Sequence, residues 1–471
     1  MYLAYFLRKS WLVCLAILPF MAISQPNIVF YLADDQDVGD YGVYGNDLIH
    51  TPAVDALAKQ GVTFTNAFTG QAICAPSRSQ LYTGNYPLKN GAFLNHVPVK
   101  DSQISIAQRM SKLGYEVILA GKSHVKPESV FDWDHEWESV EGSGPRKNIP
   151  LENIESYFKS AKKPFVMFIA SMYPHTPYHK VTGASAKDMK FYPHNEKNKN
   201  SQKAVDKLAG YYRNVEEDNK QLENVIRLVD KYLKKNTLLI YSSDHGVSGK
   251  YTVYDRGLKV PFIARWPGVI KAGSQSDVMI HYTDVVPTFI ELAGGKAPTE
   301  LDGKSFAAQL KGSTKPVHKY VYGVSTKQNT LATKVFPSRM IRSKNYKYIR
   351  NLNSIEVVEQ NLGNKPYVNE FIKMGAQHHA SVPYEELYDL TADPYEQNNL
   401  AASPRYQKLK LEMANDLLLW MKQQNDVLSG NPGIMPILDA RYKLDKPSKY
   451  NKIPKELENT LKAEDYLYLH Y

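Results

Sequence analysis

Apolar positions in this chain come in short, nearly unbroken runs, and between the runs the period changes. The clearest runs are 27–33 (NIVFYLA), 115–120 (YEVILA), 165–170 (FVMFIA) and 237–241 (TLLIY). Each has strand length, and continuous apolarity means that both faces of the strand are covered, as in a parallel sheet layered by helices. In the intervening stretches the spacing becomes helical. Residues 52–60 put Val54, Leu57 and Ala58 on one face, and 204–235 repeats Leu208, Tyr211, Val215, Leu222, Ile226, Val229 and Leu233. Strands alternating with helices predict an α/β sandwich around a mostly parallel sheet. Beyond about residue 310 the pattern shifts again. Segments 320–324 and 346–349 predict a smaller antiparallel sheet, and 409–423 (LKLEMANDLLLWMKQ) an amphipathic helix. The expected division is a first domain over 25–318 and a C-terminal α+β subdomain with a wrap-around tail over 319–471.

The N-terminus predicts a signal peptide over 1–24. Arg8 and Lys9 form a positive start, 11–23 is almost wholly apolar, and Ala22-Ile23-Ser24 offers small residues for cleavage. The protein is therefore expected to be exported, periplasmic or secreted. No stop-transfer charges follow the leader and no later run nears spanning length, so no stable membrane insertion is expected. The mature chain is long enough to bury a large core. The full chain's net charge of +10 favours a polyanionic partner, although lysines scattered over a surface give the same number. No nucleic-acid partner is expected. The two cysteines are Cys14, inside the leader, and Cys74. Export therefore leaves Cys74 unpaired, either as a buried small hydrophobe or as a reactive group.

The residues that follow the strands carry the candidate chemistry. In open α/β sheets ligands bind beyond the carboxyl ends of the strands. Here those ends read Asp34-Asp35, Gly121-Lys122-Ser123-His124, Tyr173-Pro174-His175 and Asp244-His245-Gly246. Carboxylates converging from Asp34, Asp35 and Asp244 repel one another unless a cation sits among them. An oxygen-rich set suits Ca²⁺ or Mg²⁺ better than Zn²⁺, with His245 the unusual member. Arg78, Lys122, His124, His175 and Lys250 add positive charge and proton donors suited to a tetrahedral oxyanion. Taken singly, each is equally a surface lysine, a satisfied histidine or a structural ion pair. Cys74 precedes Pro76, which predicts a helix beginning near position 74. Free N–H groups there favour negative charge. Soft sulfur matches a hard cation poorly, so an oxygen at position 74 would suit these neighbours better.

The segment CAPSR at 74–78, followed by YTG at 82–84, resembles the signature of the type I, formylglycine-dependent sulfatases. The resemblance continues in order through PNIVFYLADDQDVGDYGVYG, TPAVDALAKQGVTFTNAF, GKSH, YPHTPY, SSDHG, GKYTVYDRGLKVPFIARWPG, YTDVVPTFIELAG and ELYDLTADPYEQNNL, covering 26–425. It implies an alkaline-phosphatase-like fold and oxidation of Cys74 to formylglycine by a formylglycine-generating enzyme. The hydrated aldehyde would be the nucleophile in sulfate-ester hydrolysis. One Ca²⁺, or alternatively Mg²⁺, would be held by Asp34, Asp35, Asp244, His245 and the modified Cys74. Arg78 would position the hydrate, His124 would hydrogen-bond or deprotonate it, Lys122 and Lys250 would bind sulfate oxygens, and His175 would protonate the departing hydroxyl. Two positions depart from the family pattern: His245, where Asn is frequent, and Asn85, where Arg is frequent.

Export and a basic, tyrosine-rich chain favour a sulfated carbohydrate, an algal polysaccharide or a glycosaminoglycan, as substrate. Asn95, His96, Arg339, His378 and His379 are candidate subsite residues from loop position and side-chain chemistry. The nearest alternative is a formylglycine-dependent phosphonate or phosphodiester hydrolase of the same superfamily. A sulfated-glycan binding protein without activity is the other, but it should have lost the cysteine, an Asp or a lysine, and none is missing.

Overall fold

In the computed structural model, residues 25–233, 236–325, 337–352 and 382–429 are described, with the backbone of 437–438 and 466–467. The predicted leader, most of the tail, His378 and His379 lie outside them. The first apolar run forms β1 (Asn27–Asp34) at the middle of a nine-stranded sheet. Its alternate residues face opposite ways. Ile28, Phe30 and Leu32 enter one core, while Val29, Tyr31 and Ala33 enter another. Both faces are covered, so the run needs no polar alternation. Each large apolar side chain buried this way contributes about 1.5–3 kcal/mol.

The remaining strands of this sheet are β2 (Val62–Phe68), β3 (Glu116–Gly121), β4 (His135–Trp137), β5 (Phe165–Pro174), β6 (Thr237–Ser243), β7 (Lys259–Arg265), β8 (Ser274–Ser276) and β9 (Ile280–His281). Their order is β4-β3-β5-β1-β6-β7-β2-β8, with β9 also on β2. Among the described strands of this sheet β7 alone runs antiparallel to its neighbours, β6 and β2. The expected α/β sandwich around a mostly parallel sheet is thus observed, with one reversed strand. Its reversal puts the start of β7 beside the carboxyl end of β6. Helix α1 (Pro52–Gln60) and the long helix Gln202–Tyr232 cover one face, with Val54, Leu57, Leu222 and Val229 in the core beneath them.

A second, antiparallel sheet has the order β10 (Val321–Ser325), β11 (Ser338–Arg342), β12 (Tyr346–Asn351) and β13 (Glu385–Asp389). The amphipathic helix Gln407–Gln423 lies on it through Met413, Leu417, Trp420 and Met421. Trp420 stacks on Tyr322 with ring centroids 4.5 Å apart. The two sheets meet through a buried charge cluster. Lys347 Nζ lies 2.5 Å from Asp255 and 2.6 Å from Glu396, and Arg342 also reaches Asp255 at 3.1 Å. No helix among the described residues is long and apolar enough to cross a membrane.

Candidate active site

The carboxyl ends of β1, β3, β5 and β6 bring the strand-end residues to one place. Two of them pay for it in backbone conformation: Asp35 (φ 65°) and His124 (φ 60°) occupy the left-handed region that non-glycine residues rarely adopt. Such strain collects at functional sites.

Cys74 opens helix α2 (Cys74–Thr83), whose ten residues are all buried. No side chain of the preceding residue caps this helix. Instead Ala75 N donates to Asn95 Oδ1 at 3.3 Å. Ser77 Oγ donates to the backbone carbonyl of Asp244 at 2.5 Å, tying α2 to the end of β6. Cys74 Sγ then lies 3.4 Å from His245 Nε2, and 3.6 Å from both Asp35 Oδ1 and Lys250 Nζ.

Asp35, Cys74, Asp244 and His245 are buried together, with one donor atom from each within 4.8 Å of all the others. Two carboxylates, an imidazole nitrogen and the atom at position 74 make a donor set that fits a divalent cation. His245 Nδ1 donates to Gly246 O at 3.1 Å, which directs Nε2 toward Asp35 at 3.0 Å. In the metal-free protein burial works against the charged imidazole, but Asp244 and Asp35 outweigh it and raise its pKa well above the ordinary value. Asp34, expected in the same ligand set, is placed beside it. Both of its oxygens accept from Lys122 Nζ, at 2.8 and 2.6 Å. Burial disfavours ionisation of Asp34, yet Lys122 and Arg78 hold its carboxyl well below the usual range.

Arg78 is fully buried and shares its donors among three acceptors. Nε donates to Asp244 Oδ2 at 3.1 Å, Nη1 to Lys122 O at 3.1 Å and Nη2 to Asp34 Oδ1 at 3.4 Å. Lys250 Nζ donates to Asp35 at 2.7 and 3.0 Å. His175 Nε2 stands 3.5 Å from Asp35 Oδ2, and its Nδ1 donates to Thr176 O at 2.7 Å. A carbonyl can only accept, so Nδ1 carries a hydrogen, and proton delivery from Nε2 requires the imidazolium form. His124 is the opposite case. Burial, then Lys122 and Arg78, push its pKa down to about 2, keeping it neutral.

The expected subsite residues divide. His96 is exposed, and its Nδ1 lies 2.8 Å from His124 Nε2, so the two imidazoles share one hydrogen. Asn95 is buried, and its carboxamide holds the start of α2 and contacts His96 Nε2 at 3.1 Å. Arg339 is corrected outright. It is buried in a two-bond pair with Asp426 at 2.6 and 3.1 Å, and Nη1 donates to Ser325 O and Ser338 O. Its guanidinium joins β11 to the chain after the C-terminal helix and leaves no fork for a sugar. His378 and His379 lie outside the described residues. The Asn95 seat on Ala75 and the His96–His124 bond were not legible as such: they link residues 20 and 28 positions apart with no local pattern between them.

With this geometry in place, comparison with known proteins is decisive. The family model described as "Sulfatase" matches residues 26–295, more than half of the chain. The chain belongs to the sulfatase family. A second model, "N-sulphoglucosamine sulphohydrolase, C-terminal", matches 243–366. The enzyme is 59% identical to an ulvan-active sulfatase of Formosa agariphila, over 96% of this chain and 92% of that one. It is 26% identical to the N-sulphoglucosamine sulphohydrolase of Homo sapiens, over 85% and 90% of the two chains. Among solved structures, one in complex with its substrate D-glucosamine-2-N,6-O-disulfate superposes with a TM-score of 0.68 at 21% identity, covering 87% of this chain and 99% of that one. A 2-O GAG sulfatase gives 0.68 at 23%, over 86% and 93%. At those identities the two structures show the fold. The family makes the protein a sulfuric ester hydrolase.

Proposed function

We propose that this enzyme removes sulfate from an ulvan-type polysaccharide or its oligosaccharides, after export and after conversion of Cys74 to formylglycine by a formylglycine-generating enzyme. The seat of Cys74 carries the reaction: a buried residue at the start of α2, facing Asp35, His245 and Lys250 at 3.4–3.6 Å. The 59% identity with an ulvan-active sulfatase supports the substrate. The hydrated aldehyde would supply an oxygen nucleophile, and Asp35, Asp244, His245 and residue 74, with Asp34 alongside, would hold a Ca²⁺ ion, which would supply positive charge for a sulfate group.

The chain's own residues divide the remaining work. Lys122 and Lys250 place ammonium groups where a sulfate would sit, within reach of Asp34 and Asp35. Arg78 fixes the two carboxylates and the Lys122 backbone in one geometry. His124, kept neutral, hydrogen-bonds the nucleophile or accepts its proton, and His175 gives one to the departing sugar hydroxyl. The leader 1–24, the catalytic domain 25–318 and the subdomain 319–471 complete the reading. Its test is sulfate release from defined oligosaccharides of ulvan, carrageenan, fucoidan, heparan and chondroitin, with Cys74→Ser in parallel. Release from ulvan oligosaccharides by the parent, absent in the variant, is expected. Release from another class alone would overturn the substrate, and silence throughout, in protein shown by peptide mass to carry the aldehyde, would overturn the reaction.

A further inference from the structure

A cavity of about 310 Å³ opens beside the catalytic centre and contains none of its residues. It lies between the loop after β1, the segment around Tyr192, the start of β7 and the turn at Tyr395. In its wall Ser248 N donates to Asp37 Oδ1 at 3.0 Å, and these two residues lie two positions from Lys250 and Asp35 in the chain. A second cavity of about 190 Å³ shares Asp37, Lys190, Tyr192 and Ser248 with it, and is lined further along by Tyr178, in the loop after His175. The two form one trough that starts at the catalytic loop. Their volumes suit a small molecule or a sugar residue rather than a protein partner.

The lining has two chemistries. Tyr192 and Tyr395 pack with ring centroids 5.8 Å apart, and Tyr395 is 43% exposed although it is a large aromatic. Tyr192 OH donates to Gly39 O at 2.7 Å, which fixes its ring. His194 stacks on Tyr192 at 5.9 Å and Lys190 Nζ lies over its ring at 5.6 Å, so Tyr395 is the ring that offers a free apolar face to a carbohydrate. The other chemistry is cationic. Asp255 and Glu396 are already matched by Arg342 and Lys347. Lys190, Arg256 and Lys259 form no close ion pair among the described residues: Lys190 donates to Gly45 O and Arg256 lies over the Tyr254 ring, while Asp40 is within electrostatic reach of Lys190, Asp37 of Arg256, and Asp255 and Glu396 of Lys259. Arg256 Nε and His194 Nε2 are buried without a hydrogen-bond partner. A buried donor is ordinarily satisfied, so the unmatched Arg256 Nε beside the cavity marks a place for an acceptor. Asp37 is the opposing carboxyl, and it accepts from Ser248 N at 3.0 Å.

We propose that this trough is a second carbohydrate site that holds an anionic sugar residue of the polymer, its carboxylate or sulfate toward Lys259 and Arg256 and its ring against Tyr395. The site rests on the proposed function only for the source of the sugar. It gives the enzyme a grip on a charged chain at a distance from the ester being cut, and so a preference for polymer or longer oligosaccharide over a monosaccharide.

The test is calorimetric titration of the Cys74→Ala protein, in which no turnover occurs. The probes are inorganic sulfate, a sulfate-free oligoglucuronate, a sulfated uronate-containing oligosaccharide and a neutral oligosaccharide. Adding Lys259→Met with Tyr395→Ala should weaken both anionic oligosaccharides by about tenfold, a difference of about 1.4 kcal/mol, while the melting temperature holds. Loss for the sulfated probe alone assigns the anion as sulfate, and loss for both shows that a carboxylate suffices. Unchanged affinity in a folded double variant overturns the site. So does an equal loss for inorganic sulfate, which would leave an anion hole without sugar recognition, or an equal loss for the neutral probe. Binding is read without catalysis, so a failed sulfatase assay and a failed second site are separate results.

Discussion

Replacing Arg78 by methionine takes one guanidinium from between two buried carboxylates. Arg78, Asp34 and Asp244 have fully buried side chains. After the change Asp34 keeps Lys122 at 2.6 Å, but Asp244 keeps only two backbone N–H donors on Oδ1, from Asp35 at 3.0 Å and His245 at 2.9 Å, and its nearest cationic group is His245 at 3.9 Å. The carbonyl of Lys122 also loses its donor. Removing one partner of a buried pair costs about 3–5 kcal/mol, because the remaining charge stays out of water. Against a typical folding free energy of about 5–15 kcal/mol, that is a large share. Arg78→Lys keeps the charge but, as a point donor, cannot span three acceptors, so its loss should fall between parent and Arg78→Met. Urea unfolding of the metal-free protein measures both, and the midpoint should fall with the slope unchanged. A loss below about 1 kcal/mol for Arg78→Met would refute the claim that this guanidinium holds the site's carboxylates together.

Four further outcomes follow from the same structure. Arg339→Met should cost about 3–5 kcal/mol by urea unfolding, and the Arg339→Met/Asp426→Leu pair should recover much of it; a folded Arg339→Met with normal stability but weakened substrate binding would restore the subsite role. His124→Ala should lower kcat by about 10²–10⁴-fold, with His96→Ala producing a smaller fall, since His96 acts through the shared hydrogen bond; equal falls would show that His96 itself meets the substrate. Asp218 is buried beneath Tyr31 and Tyr241, and burial raises its pKa to about 7. The folded protein therefore holds a proton that the unfolded chain has released, and this contribution to stability declines as pH rises from about 4 through about 7. Asp218→Asn should remove that slope, and a parent-to-variant difference that is flat with pH would contradict it. Chelation should abolish activity and lower the melting temperature, and Ca²⁺ at about a hundred times its Kd should return about 2.7 kcal/mol of stability. Full activity after exhaustive chelation would contradict the cation site.

The sequence carried the layers of the fold and the address of the site further than it carried the connections between them. Four apolar runs were legible because a strand covered on both faces needs no polar positions, and β1 shows this residue by residue. The reversed strand β7 was not, because direction leaves no mark on composition. Asp34, Asp35, Lys122, His124, His175, Asp244 and His245 stood out by following those strands, and Cys74 and Arg78 by opening a helix beside a proline. Contacts between distant segments were invisible. Asn95 looked like a sugar-binding amide until its partner proved to be the N–H of Ala75, and Arg339 looked free until Asp426 met it from 87 positions away. An arginine or an amide in a loop has the same sequence signature whether it faces a ligand or the chain itself.

The account turns on what stands at position 74 in working enzyme. Mass analysis of the peptide spanning Cys74, taken from preparations of differing activity, tests this most directly. The account predicts that sulfate release rises in proportion to the fraction carrying an aldehyde at position 74 and vanishes where the thiol is intact. Undiminished sulfate release from protein whose Cys74 is wholly unmodified would contradict it.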